Sequence, residues 1–350
     1  MSIDNLIKPS MLKKGDKVVT VSLSWGGAGD PGIRERYEIG KKRLIDDFGL
    51  EVVEMPHTLM GSEYVYTHPK QRAEEWMEAF KDPSIKAIIS CIGGDETLRL
   101  LPYIDFEVIR SNPKIFMGYS DTTVNHFMCL KAGLSSLYGP TILMEFAENV
   151  EMLDYTKAHV HKALFDASPI GEIVSSTKWT SERLEWHLPE NNHVKRKMND
   201  EMHGIECLNG SGKVTGRLIG GCIEVVDWLR GTPLWPSPES FDGAILFLET
   251  SEDKPEPSYI LQVLRAFVAM GIIDRINGII FSKPLDEAHY EAYKDSIETA
   301  IVKEAGFKDL PILYNLNFGH ASPICVLPYG ALAEIDCEAK RFTILESAVI

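Results

Sequence analysis

Apolar and mixed segments alternate along the first half of the chain. The run "DKVVTVSLSW" has the continuous apolar character of a strand covered on both faces. "DPGIRERYEIGKKRLIDDFG" then repeats its apolar positions at helical spacing, with Asp30 placed as cap, Pro31 at the first helical position and Gly49 as terminator. The same alternation continues: "EVVEMP" as strand, "THPKQRAEEWMEAFKD" as helix capped by Thr67, "IKAIISCI" as strand, "DETLRLLPYI" as helix. It closes with "KIFMGYS" as strand and "DTTVNHFMCLKAG" as helix. Strands alternating with helices predict the α/β class, a mostly parallel sheet with helices on both faces. In such sheets ligands bind at the carboxyl ends of the strands.

The second half repeats this vocabulary. "GAILFLET", "INGIIFSKP" and "PILYNLNFGH" read as strands, "EPSYILQVLRAFVAMG" and "DEAHYEAYKDSIETAIVKEAG" as helices, and "ALAEIDCEAKRFTIL" as a closing hairpin. Between the halves lies a polar, poorly periodic stretch, "SSTKWTSERLEWHLPENNHVKRKMNDEMHGIECLNGSGK". Irregular segments of this length in a compact protein carry function or are disordered. The expected organisation is a domain over 1–170, an insertion over 171–213 and a second domain over 214–350.

Composition narrows the partners. A net charge of −15 argues against nucleic acid and against an anionic membrane surface. No apolar run approaches the about 20 residues needed to span a bilayer, and the N-terminus lacks a signal-peptide core. The six cysteines form no CxxC pair and mostly occupy apolar runs, which reads as reduced, buried thiols in a cytoplasmic protein and not as a zinc site. No metal or organic cofactor is expected.

The chemistry concentrates where apolar runs stop. In "PKIFMGYSDTTVNHFM" a serine, Ser120, stands between a strand and a helix. Such a turn pushes the hydroxyl out of the sheet edge and aims the helix N–H groups at the same spot. Gly118 fits because a side chain there would crowd the turn. The full elbow pattern G-x-S-x-G is incomplete, since Thr122 holds its last position. Ser120 as a plain N-cap is the competing account. A second joint, Gly93-Gly94, follows "IKAIISCI" and would let a backbone approach a ligand closely. The N–H groups of Gly94 and Asp121 would then form an oxyanion hole, with a phosphate-binding loop or a simple turn as the alternative. A serine needs a histidine base, and the base an orienting acid. Of ten histidines, His320 closes an apolar strand in "PILYNLNFGHASPICVLPYG"; His126, inside the serine's own helix, is the rival. Glu249 ends the strand in "GAILFLETSED", with Glu252 and Asp253 expected to be solvated in the loop beyond.

"GYSDTT", "FLETSED" and "GHASPICVLPYG", in this order and spacing, resemble the LD-carboxypeptidase family of serine peptidases over nearly the whole chain. The resemblance implies a serine–glutamate–histidine triad, which falls on Ser120, Glu249 and His320. It also implies a parallel α/β N-terminal domain, a smaller mixed α/β C-terminal domain, a site between them and a homodimer. Murein LD-carboxypeptidases, which release a terminal D-alanine from a cell-wall tetrapeptide, usually carry arginine before the paired glycines and tyrosine after them. Here those positions are Ile92 and Asp95. The microcin C self-immunity branch, which separates an acyl aspartate or peptide from a modified adenylate, has a longer polar insertion whose tryptophan stacks on adenine. This chain is more similar to that branch, with Gly93, Trp179 and Trp186 as expected substrate-binding residues. The alternatives are tryptophans that pin the loop to the protein body and a catalytically silent module binding a nucleotide or peptide in the same cleft. Lys195, Arg196 and Lys197 are placed to meet a phosphate or sulfamate, or to form a solvated face.

Overall fold

The computed structural model describes residues 3–350. Two sheets organise them. The first runs, in spatial order, Leu327–Pro328, Leu137–Tyr138, Ile115–Gly118, Ile85–Ser90, Lys17–Val21 and Glu51–Glu54. All neighbours are parallel except Leu327–Pro328, which pairs antiparallel with Leu137–Tyr138. The second has Lys213–Cys222, Ile245–Glu249, Gly278–Ser282 and Ile312–Leu316 as a parallel centre. Antiparallel strands complete both its edges: Leu332–Asp336, Arg341–Ile344 and Gly171–Glu172 on one side, Glu206–Asn209 on the other. Ile245–Glu249, Gly278–Ser282 and Ile312–Leu316 are buried at every position, because helices cover both faces.

One hydrophobic core runs through both sheets, joining Ile88 and Phe116 of the first to Ile219 and Phe247 of the second. Rings bridge the halves directly: Tyr138 lies 5.5 Å from Phe247, and Phe247 lies 5.1 Å from Tyr329.

Several element ends differ from the sequence pattern. The first long helix is Arg34–Asp46, and Asp30 does not cap it. The Asp30 carboxylate instead accepts from the Ser62 backbone N–H at 2.8 Å, tying down the next helix. The helix Pro69–Lys81 has His68 at its N-cap position, while Thr67 ends the preceding helix Ser62–Thr67 and bonds back to the Glu63 carbonyl. "DETLRLLPYI" becomes the 3₁₀ turns Thr97–Tyr103, because Pro102 cannot donate inside an α-helix. The insertion is ordered. It contains a small hairpin, Lys178–Trp179 against Asn199–Asp200, and its end supplies an edge strand of the second sheet.

Candidate active site

The strand Ile115–Gly118 ends in a turn that holds Ser120 at φ +64°, a left-handed conformation rare for a residue with a side chain. Such strain marks places where the fold over-determines the backbone. Gly118 is required: a Cβ there would come within 2.7 Å of Thr122 Cγ2 and 2.9 Å of Ser90 Cβ. Ser120 opens a 3₁₀ turn, and the helix Thr123–Ala132 follows to its glycine cap, Gly133.

Glu249 ends its strand fully buried, and His320 lies in the loop after Ile312–Leu316, also buried. His320 Nδ1 is 2.7 Å from Glu249 Oε2, and Nε2 is 3.2 Å from Ser120 Oγ. The three predicted residues therefore form one continuous hydrogen-bonded chain. Gly319 makes the approach possible: its φ is +84°, and a Cβ would lie 2.6 Å from Glu249 Oε2. Tyr138 closes the circuit. Its hydroxyl donates to Glu249 Oε1 at 2.5 Å and accepts from the Ser120 backbone N–H at 3.2 Å. Burial, and then the neighbouring Glu249 charge, push this phenol far above its ordinary range, so it remains a donor. Nothing in the sequence around Tyr138 marks it, since its strand is two residues long.

The Gly93-Gly94 turn packs on the serine. A Cβ on Gly93 would lie 3.0 Å from Ser120 Oγ and 3.1 Å from the Asp121 nitrogen, so glycine keeps the space above the hydroxyl open. Gly94, at φ +140°, is exposed in the cleft. The Asp121 side chain points away from the cleft. It is buried, accepts from Ser24 Oγ at 2.6 Å and from the Thr97 N–H at 2.9 Å, and thereby locks the glycine turn to the serine turn. Burial pushes its carboxyl up.

His126 is structural. Its Nε2–H donates to the Gly118 carbonyl at 2.9 Å, and Nδ1 accepts from Ser136 at 2.8 Å. Burial holds its pKa at about 3, so it stays neutral.

Glu252 is exposed, as expected of a loop carboxylate, yet it also engages His320. Its Oε2 lies 2.8 Å from His320 Nε2, closer than Ser120 does, and Arg183 of the insertion approaches its Oε1 at 3.6 Å. Burial alone would lower the His320 pKa, but Glu249 and Glu252 outweigh it and push the imidazole up to about 10. Burial would likewise raise Glu252, yet His320 and then Arg183 hold its carboxyl well below the usual range. The half-exposed position of Glu252 gave no hint of this, because the contact depends on where the histidine loop arrives.

These groups open into a cleft of about 1420 Å³ between the two sheets. Its lining includes Trp25 and Trp186, stacked at 6.4 Å and 22°, with the Arg36 guanidinium 4.8 Å from the Trp186 ring centroid. The lining also includes Glu224, Glu252 and Asp253 together with Trp228 and Tyr259. Ile92 and Asp95 flank the glycines.

Trp179 is placed elsewhere, so the expectation that it lines the substrate site is corrected. It is buried beneath Lys283, whose ammonium lies 4.6 Å from its ring centroid, and it pins the insertion to the body. The adjacent Thr180 pairs with Ser322 through reciprocal backbone hydrogen bonds, so the insertion also braces the histidine loop. The basic run does not face a ligand as a unit. Lys195 pairs with Glu151 at 2.6 Å, and Arg196 pairs with Glu148. All six cysteines are free thiols, five of them buried. Among the described residues no helix is long and apolar enough to cross a membrane.

Comparison with known proteins matches residues 18–139 to the LD-carboxypeptidase N-terminal domain and residues 215–335 to the C-terminal domain. The microcin C7 self-immunity protein MccF of Escherichia coli is 33% identical over 285 residues, 79% of this chain and 78% of that protein. An MccF-like protein from Streptococcus pneumoniae, solved in complex with AMP, superposes with a TM-score of 0.86 at 34% identity, covering 94% of this chain and 98% of that one. A structure of MccF with aspartyl sulfamoyl adenosine superposes at 0.83 with 26% identity, covering 98% and 100%.

Proposed function

Because the chain belongs to the LD-carboxypeptidase family of serine peptidases, we propose that it is a cytoplasmic hydrolase that cleaves the amide-type bond joining an acyl aspartate, or a peptide, to a modified adenylate. Its role in this reading is immunity to nucleotide–peptide toxins of the microcin C type. Ser120 attacks the acyl carbonyl, and His320 Nε2 accepts its proton. Glu249 holds Nδ1–H and stabilises the imidazolium that forms. The N–H groups of Gly94 and Asp121 receive the developing oxyanion; losing one such donor costs about 3 kcal/mol of transition-state stabilisation. The imidazolium returns its proton to the departing nitrogen, leaving an acyl-enzyme. Water, deprotonated by the same imidazole, then releases the acid and restores Ser120. The stacked Trp25 and Trp186 in the cleft lining offer a π-surface to the nucleobase.

The observation that carries this reading is the Ser120–His320–Glu249 chain, at 3.2 and 2.7 Å, opening into the cleft that this aromatic pair also lines. The relatives solved with AMP and with aspartyl sulfamoyl adenosine support the same substrate class. The test incubates the protein with aspartyl sulfamoyl adenosine and, separately, with a murein tetrapeptide. Release of aspartate from the conjugate, abolished in Ser120→Ala with binding retained, is the expected result. Cleavage of the tetrapeptide alone would assign the murein activity instead. Turnover surviving in Ser120→Ala would remove the serine mechanism. A homodimer goes with this reading, and a monomer mass by light scattering would remove that part.

A further inference from the structure

His320 Nε2 has two claimants. Ser120 Oγ lies at 3.2 Å and Glu252 Oε2 at 2.8 Å, and the imidazole nitrogen carries at most one hydrogen. To activate Ser120, Nε2 must be bare and accept the serine proton. Against a carboxylate, Nε2 must instead keep its hydrogen, because two acceptors facing each other repel. The two contacts therefore belong to different protonation states, and the shorter one is the inactive one.

We propose that Glu252 is a positioning residue that locks the general base in the free enzyme, and that a cationic group on the acyl portion of the substrate releases it by taking over the carboxylate. The inference rests on the hydrolase reading above and adds a requirement to it. Upon release, Nε2–H loses its proton to bulk water, and the bare nitrogen turns to the Ser120 hydroxyl. No other bond changes.

The surroundings fit a movable lock. Glu252 is in the loop after the strand Ile245–Glu249, its side chain 45% exposed, whereas Glu249 is fully buried and fixed by Tyr138. The groups facing His320 are Glu249 on Nδ1, Glu252 and Ser120 on Nε2, and the Tyr119 ring at 5.1 Å; Arg183 reaches Glu252 from the insertion. Arg183 at 3.6 Å is too far for a direct hydrogen bond, so the carboxylate retains capacity for a substrate cation. The cleft lining also includes Glu224 and Asp253 with the Trp228 and Tyr259 rings, a composition that suits an ammonium or guanidinium group. An aminoacyl conjugate carries such a group in its free α-ammonium.

The test has two readouts on wild type and Glu252→Gln. Inactivation of Ser120 by a small neutral fluorophosphonate is followed against pH, which needs no nucleotide. Hydrolysis of aspartyl sulfamoyl adenosine is compared with that of its N-acetyl form. In the variant, labelling at pH 7 should accelerate at least about tenfold and its acid limb should move to lower pH, since one of two carboxylates holding the imidazolium is gone. The wild-type preference in kcat/KM for the free amine should shrink at least about tenfold in the variant. Glu252→Ala should move both readouts in the same direction. Superimposable pH curves, or an unchanged amine preference, overturn the proposal. If wild type hydrolyses the conjugate while the curves coincide, the lock alone is wrong. If it hydrolyses neither conjugate, the substrate reading and its cation requirement fall together.

Discussion

Two glycines beside the triad, Gly93 and Gly319, have no room for a side chain. Alanine at Gly93 would press on Ser120 Cβ at 2.8 Å and on Oγ at 3.0 Å. Gly93→Ala should therefore lower kcat/KM by orders of magnitude while shifting the melting midpoint little, because the strain falls on the open side of the serine. Parallel melting and turnover assays check this, and a full loss of folded protein would contradict it. Gly319 differs, since it combines φ +84° with a Cβ position against the buried Glu249 carboxylate. Gly319→Ala should lose both activity and at least about 1 kcal/mol of stability. Tyr138→Phe removes the donor to Glu249 and the acceptor for Ser120 N–H together. Hydrogen bonds to charged groups contribute about 1.5–3 kcal/mol. The expected drop in kcat is on the order of 10- to 100-fold with KM nearly unchanged, measured by steady-state kinetics.

At the scale of elements, the insertion separates into a base-facing part and an anchoring part. Trp186, half-buried on Trp25 in the cleft, should bind the nucleobase. A stacked base contributes roughly 1–3 kcal/mol, so Trp186→Ala should raise KM for nucleotide conjugates by roughly 5- to 150-fold and spare peptides. Trp179 is buried under Lys283. Its truncation should cost about 3–5 kcal/mol of stability, visible in denaturant melts, without a selective loss of nucleotide conjugates. The sequence displayed both tryptophans in one polar stretch and gave no means of telling them apart. What separates them is the hairpin Lys178–Trp179 with Asn199–Asp200, which turns one ring inward before the chain crosses the cleft. The joints leading to Ser120, Glu249 and His320 were legible, because continuous apolar runs stop at or just before them and ligands bind at the carboxyl ends of parallel strands; that the joints belong to two different sheets was not. The glutamate–histidine contact of Glu252 was not legible, since a loop carboxylate has no periodicity to betray its partner.

On the scale of the whole molecule, charge and packing couple the two sheets. The first sheet supplies Ser120 and Tyr138, the second supplies Glu249 and the loop bearing His320, and Leu327–Pro328 crosses back to pair with Leu137–Tyr138. The site thus exists only when both sheets are assembled. Its proton balance follows. His320 is raised above its ordinary value, so its contribution to stability is fully present below pH about 6.5 and is lost as pH rises toward about 10. Thermal stability should fall over that window, whereas labelling of Ser120 in the free enzyme should rise over it, because the neutral imidazole is the base. Melting curves and labelling rates across pH 6–10 on the same preparation check the opposed slopes. A His320→Gln variant should flatten the stability slope.

Local pattern determined the α/β class, the order of most strands and helices, and the three residue types set at strand ends, because burial imposes a period on each element and interrupts it at the joints. It could not determine the register between distant segments. The short strand holding Tyr138, the return of Leu327–Pro328 into the first sheet, the separate fates of the two tryptophans and the pairing of Glu252 with His320 arise from contacts between segments far apart in the chain. Those contacts are chosen by packing across the core and across the cleft, where no single stretch of residues holds the information.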